Sequence, residues 1–153
     1  MEYPKIDRML DAQVAYFAGL LDGEGCVRVG RFKNSSKALR YRAYMVIAMT
    51  DPNPIIWLEN TVGGKKYLDR SVRSGCSKLC WSWQVNAKEG SHILQRALPY
   101  LLVKGEQARN YIDFARTLSG PGGRGEAKPI SASLLKLRKG LANRSLKLNK
   151  KGK

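Results

Sequence analysis

Asp22, Gly23, Glu24 and Gly25 place two carboxylates and two glycines directly after an apolar stretch that contains Ala15, Ala18 and Gly19. Small residues at helical spacing let two helices approach until their backbones nearly touch. The stretch occurs once and the chain has no internal repeat, so the partner helix must come from a second copy through a two-fold interface. Ala15, Ala18, Gly19 and Asp22 are the residues expected in that homodimer interface. Pairing would bring two Glu24 carboxylates together at helix C-termini that are already negative, an unfavourable arrangement. A divalent cation resolves the conflict, because Mg²⁺ accepts carboxylate and carbonyl oxygens, with water and phosphate oxygens completing its shell. Glu24 is the first expected metal ligand and the carbonyl of Gly23 the second. The chemistry implied is phosphodiester hydrolysis, in which such ions activate water and neutralise the phosphate in flight. No side-chain nucleophile is arranged for it: His92, the only histidine, falls in a helix.

The elements that must position these groups follow from periodicity. A helix is expected over about 12–21, stopping at 22–25 where two glycines permit a turn. A strand over 26–33 puts Val27 and Val29 on one side and Arg28 on the other. After the loop 34–37, a second strand over 40–50 alternates Ala43, Met45, Ile47 and Met49 with Arg42 and Tyr44. Asp51-Pro52-Asn53-Pro54 starts a helix, with Asn53 as its cap and Pro54 in the first turn; Gly63-Gly64 ends it. Strands follow over 65–73 and 79–86. Asn86 and Glu89 form a capping box for a further helix, Pro99 interrupts it, and a last helix spans about 104–118. The prediction is an α+β domain over 1–118 with four antiparallel strands and helices on one face. Residues 119–128 read as a Gly/Pro-rich linker, and 129–153 as a short basic helix with a tail.

Charge names the partner. The 153 residues carry 28 Lys and Arg against 12 Asp and Glu, a formal +16, and a polyanion is the natural complement. The sheet face left uncovered by helices is the expected double-stranded DNA surface, since β-ribbons fit the major groove. Arg28, Arg42 and Arg70 are expected at base edges, with Tyr44, Ser82 and Gln84 behind them, and Arg40 and Arg73 are further expected DNA contacts. Lys33, Lys37, Lys65 and Lys66 suit phosphates, as do Lys136, Arg138 and Lys139 from the tail. No apolar run approaches the ~20 residues of a membrane span, and no signal-peptide core follows Met1. Cys26, Cys76 and Cys80 have no framework or zinc spacing, so reduced thiols in an intracellular, non-secreted protein are expected.

Residues 17–25, Phe-Ala-Gly-Leu-Leu-Asp-Gly-Glu-Gly, closely resemble the nine-residue signature of the LAGLIDADG homing endonucleases. The changes from the signature, Phe17, Leu21, Gly23 and Glu24, are ones this family shows. Leu98-Pro99-Tyr100-Leu101-Leu102-Val103-Lys104 resembles the family's second signature, and the likeness spans about 12–118. The resemblance implies an αββαββα fold, a homodimer joined by the signature helices, and an intron-encoded enzyme cutting a long, roughly palindromic DNA site. It gives Glu24 and Gly23 the metal-ligand role again. It adds Asp51, at a position that orients water, and Lys104, which would polarise the phosphate, as further catalytic residues. It implies one cut per subunit across the minor groove, leaving 3′ overhangs. Mg²⁺ is the expected cofactor, with Mn²⁺ able to substitute and Ca²⁺ supporting binding without cleavage. Relatives place a basic residue shortly after the Asp51 position, where this chain has Ile55 and Ile56. The alternatives are an RNA-binding maturase of the same fold acting on its own intron RNA, a transcription regulator, and an RNA-coating protein. An intact Glu24 and Lys104 favour cleavage.

Overall fold

Gly23 does not end the first helix. In the computed structural model, which describes residues 5–33, 37–69, 79–118 and 130–150, a 3-10 turn (Lys5–Arg8) leads into α1, Asp11–Glu24. Gln13 Oε1 accepts from the Leu10 amide at 2.9 Å and closes the N-terminus. The expected stop across 22–25 is corrected: Asp22, Gly23 and Glu24 are helical, and the chain turns only at Gly25, in extended backbone at φ −87°. A Cβ on Gly25 would lie 2.6 Å from the Leu21 carbonyl oxygen, so this glycine serves close approach and not a left-handed turn. The helix therefore passes into β1, Gly25–Lys33, with no loop between them.

β1 pairs antiparallel with β2, Leu39–Met49, and the sheet continues to β4 (Cys80–Val85) and β3 (Lys65–Asp69) in the order β1-β2-β4-β3. Alternation assigns the faces, as expected. Val27, Val29, Ala43, Met45, Ile47 and Trp83 are buried against Phe17, Leu21, Ile55, Leu58, Leu94 and Phe114 of the helices. Phe17 meets Trp83 edge-on, ring centroids 5.9 Å apart. The opposite face exposes Cys26, Arg28, Arg42, Ala48 and Gln84. This is the α+β architecture that the sequence predicts.

Local chemistry sets the connections. α2, Pro52–Trp57, is capped by Asp51 and not by Asn53: Asp51 Oδ1 accepts from the Asn53 amide at 2.9 Å, and Pro52, not Pro54, opens the helix. One π-helical turn, Leu58–Val62, follows and ends at Gly63 and Gly64, whose φ values of 111° and 74° favour glycine. Trp83 Nε1 donates to the Gly63 carbonyl at 2.6 Å and ties this turn to the sheet. The expected third strand to residue 73 is seen as far as Asp69; Arg70, Arg73 and Cys76 lie outside the described residues. α3, Ala87–Ala97, has the expected Asn86 cap, its side chain accepting from the Glu89 amide at 3.0 Å. The return arm differs: the Glu89 carboxylate accepts from the Asn86 side chain (3.1 Å) and the Gly64 amide (3.2 Å). Pro99 sits in a 3-10 turn, Leu98–Tyr100, before α4, Gly105–Arg116.

The expected linker, 119–128, lies outside the described residues. Beyond it, α5 (Ala132–Leu148) is a 17-residue helix, not a short one, and it docks on the fold. β1 is an edge strand, whose outward backbone groups need partners. Ser145 Oγ accepts from the Val29 amide at 2.9 Å, and Asn149 Nδ2 donates to the Val27 carbonyl at 3.3 Å. Ser145 and Ala142 are buried, and Asn110 of α4 donates to the Leu141 carbonyl at 3.0 Å. The C-terminal segment is thus a helix that closes the sheet edge. Ser145→Ala would leave the buried Val29 amide unpaired. We expect a loss of about 1–3 kcal/mol, read as a lower urea midpoint at unchanged slope.

Candidate active site and nucleic-acid interface

Asp22 joins two segments about eighty residues apart. Its carboxylate accepts three backbone amides, those of Leu102 (2.7 Å), Val103 (3.1 Å) and Lys104 (2.9 Å). Lys104 returns the contact by donating from Nζ to the Asp22 carbonyl. Of these three only the Lys104 amide belongs to the N-terminus of α4, and the carboxylate is favoured there by the positive end of the helix dipole. Asp22, expected at the dimer interface, is thus engaged within its own protomer. Lys104, the residue before α4, is fixed at the last turn of α1, within the same small region as Glu24.

Glu24 is exposed, and its carboxylate makes no hydrogen bond or ion pair with the described residues. Gly23 belongs to the same last helical turn, whose carbonyls lack intrahelical donors. Ala12, Ala15, Gly19 and Gly23 form an exposed stripe along α1, and a Cβ on Gly19 or Gly23 would meet nothing within 4 Å. Ala18 is corrected out of this stripe: it is fully buried in the protomer's own core. Asp51 lies at the same end of the sheet, beyond the β2 residue Ile47 that pairs with Gly25. Its carboxylate caps α2 and reaches neither Glu24 nor Lys104 among the described residues. No group of three or more His, Cys, Asp or Glu that could cage a metal occurs among the described residues. One protomer therefore offers a carboxylate and a carbonyl, the hard oxygen donors a divalent cation accepts, but not a full shell.

The uncovered sheet face carries its arginines in a stacked row. Register sets Arg28 opposite Tyr44 and Gly30 opposite Arg42. The Arg28 guanidinium lies 5.1 Å from the Tyr44 ring centroid. The Arg42 guanidinium lies 4.3 Å from the Tyr44 ring centroid and 4.9 Å from that of Phe32. Ser82 and Gln84 share this face, as does Arg40 opposite Phe32. Lys33 ends β1 on the other side of the pleat from Arg28, so it can serve the rim and not the centre.

The C-terminal cations divide. Lys136 and Lys139 are exposed, and Lys139 lines a cleft of about 400 Å³ with Arg28, Arg31 and Asn143 between α5 and β1. Arg138 is corrected from phosphate partner to structural brace. Its Nε donates to Thr117 Oγ1 at 3.0 Å, another nitrogen donates to the Thr117 carbonyl at 2.8 Å, and it packs on Phe114. Burial, then the Arg40 charge, lowers its pKa. Sequence alone gave no sign of this: Lys136, Arg138 and Lys139 read as one basic run, and the Thr117 carbonyl belongs to another helix end.

No protein-family model and no curated protein matches the chain. Solved structures do. An archaeal intron-encoded homing endonuclease, I-Vdi141I, complexed with DNA, superposes with a TM-score of 0.73 at 16% identity, covering 94% of this chain and 87% of that one. The homing endonuclease I-CvuI, in complex with a DNA target left uncleaved in the presence of magnesium, gives 0.69 at 18%, covering 93% and 84%. The homing endonuclease I-TnaI gives 0.60 at 15%, covering 94% and 92%. At these identities the likeness establishes the fold: this chain has the homing-endonuclease fold over nearly its whole length.

The Asp22 clasp is testable alone. Asp22→Ala would leave the amides of Leu102, Val103 and Lys104 without their acceptor. About 1–3 kcal/mol of stability should be lost, with Asp22→Asn losing less because it keeps one oxygen. Urea denaturation of the three proteins checks the order.

Proposed function

We propose that this chain is a homodimeric, divalent-metal-dependent DNA endonuclease that makes a staggered double-strand break in a long, roughly palindromic site. One observation carries the reading. An exposed, unpaired Glu24 terminates a helix whose outer stripe, Ala12, Ala15, Gly19 and Gly23, is bare enough for a second copy to pack against it. Packing along that stripe brings two Glu24 carboxylates and two Gly23 carbonyls to one place. The half-complete oxygen donor set of each protomer then becomes shared, with DNA phosphate oxygens as the remaining ligands. Mg²⁺ fits such hard donors, Mn²⁺ can replace it, and Ca²⁺ would hold DNA without cutting. A divalent cation there supplies charge neutralisation at the phosphate and a more acidic water.

The chain's own residues do the rest. Glu24 holds negative charge at the helix end, where only a cation or a proton can relieve it. Lys104, pinned to the Asp22 carbonyl, keeps a positive charge beside the scissile phosphate and favours its developing negative charge. Asp51, spent as a helix cap, is assigned a supporting role in ordering water at the sheet end. The open sheet face docks in the major groove, with Arg28, Arg40, Arg42, Ser82 and Gln84 toward base edges. Lys33, Lys136 and Lys139 lie toward phosphates. The similar fold of I-Vdi141I, complexed with DNA, supports DNA over RNA as the partner.

Cleavage, sedimentation and salt dependence test this. Incubated with long duplexes, the protein should cut in Mg²⁺, leaving 3′ overhangs, and bind without cutting in Ca²⁺; EDTA should abolish cleavage. Glu24→Gln should lower cleavage by at least about a hundredfold while DNA retention is kept; normal cutting by that variant would end the metal-site assignment. Gly19→Leu meets open space in the protomer, so the variant should stay folded yet sediment as a monomer and fail to cut. A dimer carries twice +16, a formal +32, so affinity should fall steeply as salt rises.

A further inference from the structure

On the open sheet face, four side chains interleave: Arg28, Tyr44, Arg42 and Phe32, each guanidinium against a ring at 4.3 to 5.1 Å. An exposed arginine ordinarily samples many rotamers. Arg42 is exposed, yet its guanidinium contacts two rings, and that of Arg28 contacts one. Contact with a ring restrains each guanidinium without spending its N–H donors on an ion pair. Neither arginine has an acidic partner among the described residues, so these donors are uncommitted.

Gly30 makes the row possible. It shares the face with Arg28 and Phe32, and the Tyr44 ring lies across it. A Cβ at Gly30 would approach Tyr44 Cε2 to 3.0 Å, its hydroxyl to 3.4 Å and the Arg28 guanidinium to 3.5 Å. The missing side chain is thus the slot in which Tyr44 lies, between the two arginines.

Spacing fixes what the pair can read. Arg28 sits in the cross-strand row with Tyr44, and Arg42 in the next row, with Gly30. Adjacent rows on one face are two residues apart, about 7 Å. Base pairs in B-DNA rise about 3.4 Å, so one row step spans two base-pair steps. An arginine presenting its edge in the major groove pairs bidentately with guanine O6 and N7.

Resting on the endonuclease reading above, we infer that Arg28 and Arg42 form a preset pair that selects two G·C pairs separated by one base pair in each half-site. Tyr44 and Gly30 are positioning residues for that pair, and Tyr44 is not itself a base reader. Tyr44 lies between the two guanidinium groups, so losing its ring loosens both contacts together.

The test is selection of bound duplexes from a randomised library in Ca²⁺ without cleavage, followed by sequencing. Wild type should enrich G·C at two positions with one base pair between them in each half-site. Arg28→Ala and Arg42→Ala should each erase one of these preferences, lowering discrimination there by between about five- and a hundredfold. Tyr44→Leu should weaken both while leaving other positions unchanged, and Tyr44→Phe, which keeps the ring, should retain both. Gly30→Val should match Tyr44→Leu. Thermal melts of each variant establish that it is folded. If the arginines map to adjacent or distant base pairs, or Tyr44→Leu keeps both preferences, the inference fails and the nuclease reading stands. If wild type enriches no sequence at all, both fall.

Discussion

The clasp between Asp22 and the start of α4 is the contact on which the site geometry depends. Its carboxylate gathers three amides from residues 102–104, and Lys104 closes the ring onto the Asp22 carbonyl. Those bonds lock the last turn of α1 against α4. Because α1 enters β1 with no loop, they lock the sheet as well. Glu24, two residues on, inherits a fixed position without making a contact of its own. A carboxylate that is to meet a cation must be unpaired beforehand, and its neighbours must absorb the cost of ordering it. Here one acid provides the order and the next provides the free charge.

The same division runs through the cations. Arg96 donates to the carbonyls of Asp7 and Met9, Arg144 pairs with Glu106, and Arg138 braces Thr117. These arginines belong to the scaffold on the helical side. On the open face the guanidinium groups are steadied by aromatic rings instead, which hold orientation without neutralising charge. An ion pair would have consumed the donors needed for a phosphate or a base. Whether an arginine braces the scaffold or keeps its donors free therefore follows from the partner beside it.

Legibility in the sequence follows the range of the interactions. Period-2 alternation in 39–49 and 80–85 announced the strands, and the Asn86 and Glu89 pair announced α3, because these signals lie within a few residues. The cap of α2 differs although its signal is local: Asp51 followed by Pro52 is a cap with proline at the first helical position, and it outranks Asn53. The helix end at Glu24 was not legible. Two glycines argue locally for a stop, whereas packing of Leu21 and the clasp at Asp22 carry the helix through. Nor could sequence separate Ala18 from Ala15, since both are small and three residues apart; only the core at Phe17 and Leu21 decides which faces inward. Gly30 had no role in a sequence reading, for its role exists only once Tyr44 lies across the neighbouring strand.

The energetics of α1 argue for a surface that is still uncovered. Glycine within a helix costs about 1 kcal/mol against alanine. Gly25 has a reason inside the protomer, since a Cβ there would strike Leu21. Gly19 and Gly23 have none: alanine would fit at both with nothing within 4 Å. A helix that forgoes about 2 kcal/mol of local stability at two exposed positions, in line with the exposed Ala12 and Ala15, is shaped for contact with something flat and close. A nucleic acid would select basic residues there, and α1 carries neither Lys nor Arg. A second copy of the same stripe presents the same bareness in return, and two-fold packing puts like against like. The proposed dimer would account for the missing side chains of α1, and the site shared across it for the unpaired acid at the helix end.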